Sequence, residues 1–194
     1  MSKNPDTNAS ATADHAAMRA PVRPVHDIPP LSGYARSIID RLGLQAHPEG
    51  GWYVRDWQSP SSAPSDLTDA TRPGASTVVG NRPLASLIYF LLPQGDYSDW
   101  HRVDADELWL WHGPGTVTLE LAGDGDEPDP GAVRRITLGE GLRTATLPVS
   151  VTGHAIVPAG IWQRTIPGNE DALVSCVVSP GFTFDGFTLA DRAR

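Results

Sequence analysis

The chain is poor in cysteine, in basic residues and in long apolar runs, and each shortage removes a class of protein. One cysteine, Cys176, stands in 194 residues, so no disulfide can close within the chain. It lies in the apolar stretch Ala172-Leu-Val-Ser-Cys-Val-Val-Ser179 with no basic neighbour to draw off its proton. That context reads as a buried structural thiol rather than a nucleophile, and a chain without disulfides is expected in the reducing cytoplasm. Lys and Arg total 15 against 23 Asp and Glu, a formal net charge of −8. A surface of that sign repels phosphate, so neither nucleic acid nor an anionic membrane is expected as a partner. No apolar run reaches the length of a membrane span. The opening Met1-Ser-Lys-Asn-Pro-Asp-Thr7 lacks the apolar core of a secretory signal.

What is abundant is turn chemistry. Nineteen Gly and 18 Pro break the chain into short runs rich in β-branched and aromatic residues, six Trp among them. Residues 1–30 hold too few apolar groups to offset the entropy of ordering and read as a disordered tail, leaving residues 31–194 as one domain. One short helix follows: Ser32 caps it, Tyr34, Ile38 and Leu42 recur at helical spacing, and Gly43 ends it. Beyond Leu44 the pattern is strands and turns. Strands are expected at Gly51–Gln58, Leu84–Leu92, Glu107–His112, Thr116–Leu121, Ala132–Leu138, Val151–Val157, Trp162–Ile166 and Ala172–Ser179. The polar stretch Ser59–Arg82 is long for a loop in a compact domain, which marks it as functional or mobile. Seven or eight short strands at this spacing predict an all-β sandwich or barrel, jelly rolls included.

Two constellations carry chemistry. The first runs from Gly95 to Gly113 and contains Trp100, His101, Val103, Glu107 and His112. An imidazole and a carboxylate six residues apart lie on one face of an unbroken strand, or converge across a turn at Asp104-Ala-Asp106. Together they can bind a metal or transfer a proton, which makes His101 and Glu107 the candidate catalytic pair. The second runs from Gly153 to Gln163, where Pro158-Ala-Gly160 is a tight turn that returns Trp162 and Gln163 to the sheet.

In order and spacing these two segments resemble the two cupin motifs. Gly95, His101, Val103 and Glu107 fall on the first, with Val103 where a second histidine stands. Pro158, Gly160 and Gln163 fall on the second, with Gln163 where a histidine stands and Gly153 one residue out of place. His47-Pro-Glu-Gly-Gly51, Ile88-Tyr-Phe-Leu-Leu92, Trp100-His-Arg102, Asp106-Glu-Leu-Trp109, Val157-Pro-Ala-Gly-Ile-Trp-Gln163 and Pro180-Gly-Phe-Thr-Phe184 narrow the resemblance to the cupin-5 family, formerly domain of unknown function 985. The resemblance spans about Leu42 to Leu189. It implies a double-stranded β-helix, the jelly-roll cupin barrel, with one short N-terminal helix, a shape similar to the dTDP-4-dehydrorhamnose 3,5-epimerases, and assembly as a homodimer. The family's own reaction is largely unassigned.

For function, the readings divide. Typical metal cupins hold a divalent ion with three histidines and a glutamate; here the tentative set is His101, Glu107 and Gln163. That is one imidazole, one carboxylate and one neutral amide, a poor set for zinc or iron by ligand chemistry, unless His112 or His154 also turns inward. A metal-free enzyme of the sugar-epimerase kind would use a buried His and carboxylate to take a proton next to a carbonyl. The alternative is a binding module without catalysis, in which Trp100 and Trp162 wall a sugar or aromatic ligand while Trp109 and Trp111 are core. Glu49 and Arg55 either hold a polar ligand at the barrel mouth or pair with each other at the surface; Trp100, His112, Trp162 and Gln163 are further candidate ligand-binding residues. All readings share one expectation: His101, Glu107 and Gln163 face a single cavity that takes a small molecule.

Overall fold

The computed structural model describes residues 30–64, 82–140 and 151–190, so most of the expected tail and the centre of the 59–82 stretch lie outside the described residues. The helix α1 spans Gly33–Leu42. Its cap is the expected one: Ser32 Oγ accepts from the Ala35 N–H at 2.9 Å, and Gly43 ends it in the left-handed conformation at φ 68°. The buried stripe is rotated from the expected one. Ala35 and Ile38 are buried, Ile39 and Leu42 pack beside them, and Tyr34 faces outward. They cover Leu91, Trp52 and Val54, so the helix shields one outer face of a sheet.

Among the described residues, twelve strands form two six-stranded sheets. The first contains β1 (Gln45–Ala46), β2 (Trp52–Gln58), β3 (Ser86–Leu92), β11 (Ala172–Ser179), β5 (Asp106–Pro114) and β9 (His154–Val157), in that order. The second contains β12 (Phe187–Leu189), β4 (His101–Val103), β10 (Gln163–Ile166), β6 (Val117–Leu121), β7 (Arg134–Leu138) and β8 (Val151–Thr152). Neighbours are antiparallel throughout except β7 and β8. This is the expected all-β jelly roll. The core lies between the sheets, where Phe90, Trp109, Val174 and Val157 of the first meet Leu119, Leu121 and Leu138 of the second.

One expected strand changes sheets midway. The run Val151–Val157 breaks at Gly153, leaving β8 in the second sheet and β9 in the first. The chain also bends at Asp104 and Ala105, between β4 and β5. His101 and Glu107 are therefore not neighbours on one unbroken strand; they come from opposite sheets, and the turn rather than strand parity makes them converge. Arg82 clamps that corner. Its Nη1 donates to both Asp104 carboxylate oxygens at 2.9 Å, while Nε donates to the Gly181 carbonyl at 2.8 Å. Three short strands, β1, β4 and β12, were not expected: two or three residues carry too little pattern to read. No helix among the described residues is long and apolar enough to cross a membrane.

Candidate functional site

Period-two alternation decides what faces the space between the sheets. Ser86, Ile88 and Phe90 of β3, Glu107 and Trp109 of β5, Cys176 and Val178 of β11, and His101 and Val103 of β4 all point the same way into a cavity of about 220 Å³. Tyr53 and Arg55 of β2 add to the wall, and Phe182, Phe184 and Phe187 close it from the C-terminal segment.

Glu49 enters this cavity because of the loop before β2. The His47 N–H donates to the Gly51 carbonyl, and the Gly50 N–H to the His47 carbonyl, both at 3.0 Å. That tight turn needs Gly50 and Gly51 at φ 116° and 68°. At Gly51 the chain also crosses Phe90 so closely that a Cβ would lie 2.7 Å from the ring. The Glu49 backbone carbonyl is pinned by the Asp99 N–H at 2.7 Å, and the residue is 6% exposed.

Glu49 Oε2 lies 3.4 Å from His101 Nε2 and 3.4 Å from His47 Nδ1. The other nitrogen of His101, Nδ1, is 2.8 Å from the Asp99 carbonyl. A carbonyl can only accept, so Nδ1 carries the proton and Nε2 presents a lone pair to Glu49 and the cavity. Burial pushes His101 down to about 4, opposed by the hydrogen bond it donates to the Asp99 carbonyl, and pushes His47 down to about 3, with His101 adding to the effect. Both rings are neutral at physiological pH. Burial drives Glu49 well above the usual carboxyl range, and the charges of Glu107 and Asp99 drive it further, so its O–H can donate to His101 Nε2.

Glu107 forms a separate cluster. Its Oε2 accepts from Gln163 Nε2 at 2.6 Å, and it also accepts from the Cys176 thiol. Gln163 Oε1 in turn accepts from Trp109 Nε1 at 3.0 Å. Burial raises Glu107 to about 7, with the Gln163 and Cys176 hydrogen bonds opposing it. Cys176 is pushed well above its ordinary value, first by burial and then by the two carboxyls. The thiol therefore stays protonated, in keeping with a structural role, although it stands in the cavity wall.

The remaining expected site residues are divided. Arg55 sits at the mouth with its guanidinium 6.0 Å from the Phe182 ring, and its Nη1 donates to Gln58 Oε1 at 3.4 Å. It does not pair with Glu49, which points inward. Gln163 stands beside His101 in register and is fully buried behind Glu107 rather than in the lining. Trp100, Trp162 and His112 do not reach the cavity. Trp100 lies under Arg164 at 4.6 Å, and Trp162 lies under Arg102 at 4.7 Å with its Nε1 on the Gly125 carbonyl. His112 is exposed on the outer face of the first sheet, its Nε2 2.7 Å from Ser175 Oγ, and His154 is exposed as well. Each points away because it occupies the opposite strand parity or lies outside the strands. Conversely, His47, Tyr53 and the three C-terminal Phe residues join the site without having been assigned to it. The signal was present in the His47-Pro-Glu-Gly-Gly51 and Pro180-Gly-Phe-Thr-Phe184 segments, but only the fold brings these two segments together.

The family model described as Cupin_5, of the cupin superfamily (DUF985), matches residues 36–190. The chain belongs to this cupin family. Among solved structures it is similar to a hypothetical protein from Leishmania major, at 27% identity and a TM-score of 0.61, covering 80% of this chain and 86% of that one. It is also similar to protein SO0799 from Shewanella oneidensis, at 32% identity and a TM-score of 0.59, covering 80% and 84% of the two chains. No curated protein matches.

Cupins commonly hold a divalent metal, and the residues here do not fit one in the usual place. Val103 has no donor. Gln163 offers one neutral oxygen, already turned to Trp109 Nε1, while its amide N–H faces Glu107, which makes it a weak ligand. His101 and Glu107 belong to different clusters. Among the described residues, no group of three or more His, Cys, Asp or Glu is placed to hold a metal ion. In this cupin a hydrogen-bonded carboxyl and amide, Glu107 and Gln163, stand at two of the motif positions where metal ligands fall.

Proposed function

We propose that this cupin binds a small carbonyl compound between its sheets and moves a proton on it, as an isomerase or related enzyme does. The observation that supports this best is the contact between His101 and Glu49. A bare imidazole nitrogen and a carboxyl oxygen lie 3.4 Å apart, both buried and both lining the same cavity. In the reaction, His101 Nε2 takes the proton from a carbon next to the substrate carbonyl, and the C–H electron pair passes into the enolate. Glu49, whose neutral O–H meets that nitrogen in the unliganded site, turns its O–H to the enolate oxygen as the substrate takes its place. Return of that proton to the enolate oxygen completes the transfer with atoms balanced; for inversion at carbon, Glu107 gives its own proton to the other face and His101 passes the abstracted one to solvent. Glu107, near 7 and approached from the other sheet, is the second group able to give or take a proton at neutral pH.

A second reading is a non-catalytic carrier, favoured by the number of aromatic rings in the wall. One experiment separates the two. Small carbonyl compounds are incubated with the protein in D₂O, and NMR follows deuterium entry at the adjacent carbon. Exchange above background that disappears in His101→Ala and falls strongly in Glu49→Gln supports proton transfer. Equal exchange in the parent and in His101→Ala refutes it and leaves the carrier.

Assembly as a homodimer is part of the proposal. Ile156, Leu108, Val177, Leu87 and Trp57 stand in one register row across β9, β5, β11, β3 and β2, on the outer face. Ile156 is 55% and Trp57 49% exposed, an apolar stripe of the kind that a second copy covers.

A further inference from the structure

The cavity wall has a direction that the acid–base pair alone does not explain. At its mouth stands Arg55, with its guanidinium 6.0 Å from the Phe182 ring. Phe182 lies 5.9 Å from Phe187, and Phe187 stacks on His101 at 5.7 Å with 29° between the planes. Arg55, Phe182, Phe187 and His101 thus form a continuous line from a cation, across two aromatic rings, to the proton-transfer nitrogen. Phe184 braces that line, 5.2 Å from Phe182 and 6.2 Å from Phe187. Among the described residues, no carboxylate lies within ion-pair distance of Arg55. An arginine beside an apolar pocket in a chain of net charge −8 offers a fork to an anion, and its geometry suits a carboxylate.

We propose that the ligand is a small aromatic or conjugated carboxylic acid, its carboxylate on Arg55 and its flat body along Phe182 and Phe187, with its far end at His101. Three features favour this class over a sugar. The wall along the line is aromatic, and flat rings meet phenyl edges and faces well, whereas a sugar needs several hydroxyl partners. The cavity, about 220 Å³, lies below the roughly 300–1,000 Å³ of drug-sized ligand sites. That leaves room for a ring with a short acid side chain and excludes a sugar nucleotide. Finally, Glu49 is held neutral by burial, so it does not repel the ligand's negative charge.

The inference rests on the proton-transfer reading only for which end of the ligand reaches His101; the binding itself stands apart from it. The test therefore uses a probe that cannot react. Calorimetry measures 3-phenylpropionate, which has ring and carboxylate but no second carbonyl, against 3-phenylpropionamide, the neutral analogue, and hexanoate, which has no ring. Saturable binding of 3-phenylpropionate is expected, with the amide and hexanoate each weaker by about tenfold, as the loss of a charge-assisted hydrogen bond or of a buried ring predicts. Arg55→Gln, at an exposed position, is expected to weaken the carboxylate about tenfold and leave the amide unchanged. Because 3-phenylpropionate cannot react, its saturable binding by a parent that shows no deuterium exchange on carbonyl compounds supports this proposal while refuting proton transfer, so the two failures are distinguishable. Equal affinity for acid and amide, an Arg55→Gln variant that binds the acid as the parent does, or no saturable binding of 3-phenylpropionate at millimolar concentration overturns the proposal.

Discussion

Replacing Glu107 by Gln is expected to make the protein more stable, and increasingly so as pH rises. Glu107 is 7% exposed and its carboxyl is raised from 4.5 to about 7, chiefly by burial. Between these values the folded protein keeps a proton that the unfolded chain has released. The folded state then binds more protons than the unfolded one, so the parent's stability falls as pH rises from about 4.5 to about 7. Glutamine keeps the shape and has nothing to ionise. At about 1.4 kcal/mol per pKa unit, the gap between variant and parent widens by about 1 kcal/mol from pH 4 to pH 5, and by about 3 kcal/mol by pH 7. Above that it is flat, because both states of the parent are then ionised. The amide brings a second N–H that needs an acceptor beside Gln163, which moves the whole curve without changing its slope. Urea unfolding of both proteins at a series of pH values from 4 to 8 measures the gap directly. A gap that stays constant, or narrows with rising pH, would falsify the account of Glu107 as a carboxyl held protonated by burial. A stabilised variant that has lost turnover would identify Glu107 as a group kept for function at the expense of stability.

Arg82→Ala removes a buried cation from Asp104 and two backbone carbonyls, and leaves the β4–β5 corner unclamped. A loss of about 3–5 kcal/mol is expected in denaturant unfolding; a loss below about 1 kcal/mol would show that the corner holds without it. Val103→His combined with Gln163→His places two imidazoles beside His101 and Glu107, giving the donor set that a zinc site needs. Calorimetry with zinc is expected to show affinity at least about tenfold above the parent's, and equal affinity would mean that the cavity geometry, not the donor set, decides. Ile156→Asp puts a charge in the outer apolar row and is expected to shift the mass seen by light scattering from dimer to monomer without unfolding the chain. A parent that is already monomeric at micromolar concentration sinks the dimer proposal.

Much of the fold was legible because its signals are local. Ser32 and Gly43 bound the helix by capping chemistry that needs no tertiary partner, and the long strands announce themselves by β-branched runs between Gly and Pro turns. The motif spacings put forward His101 and Glu107, the His47–Arg55 segment put forward Glu49 and Arg55, and all four line one cavity. What the residues alone left open was direction and partnership. Whether Val151–Val157 is one strand or two depends on which sheet each half joins, and no local preference at Gly153 states that. Trp100, Trp162 and His112 carry the same side chains whether they face the cavity or solvent, and strand parity at bends is set by the whole sheet. Tertiary structure also chose the partners: it gave His101 to Glu49, some fifty residues away in the chain, and tied Glu107 to Gln163 and Cys176. The titration of these groups then follows from burial, a property of the assembled sheets. The sequence determined which chemical groups this cupin has and the class of fold that holds them. Only the packing of the two sheets, by removing water and bringing distant segments within hydrogen-bond reach, decided which of them form a site.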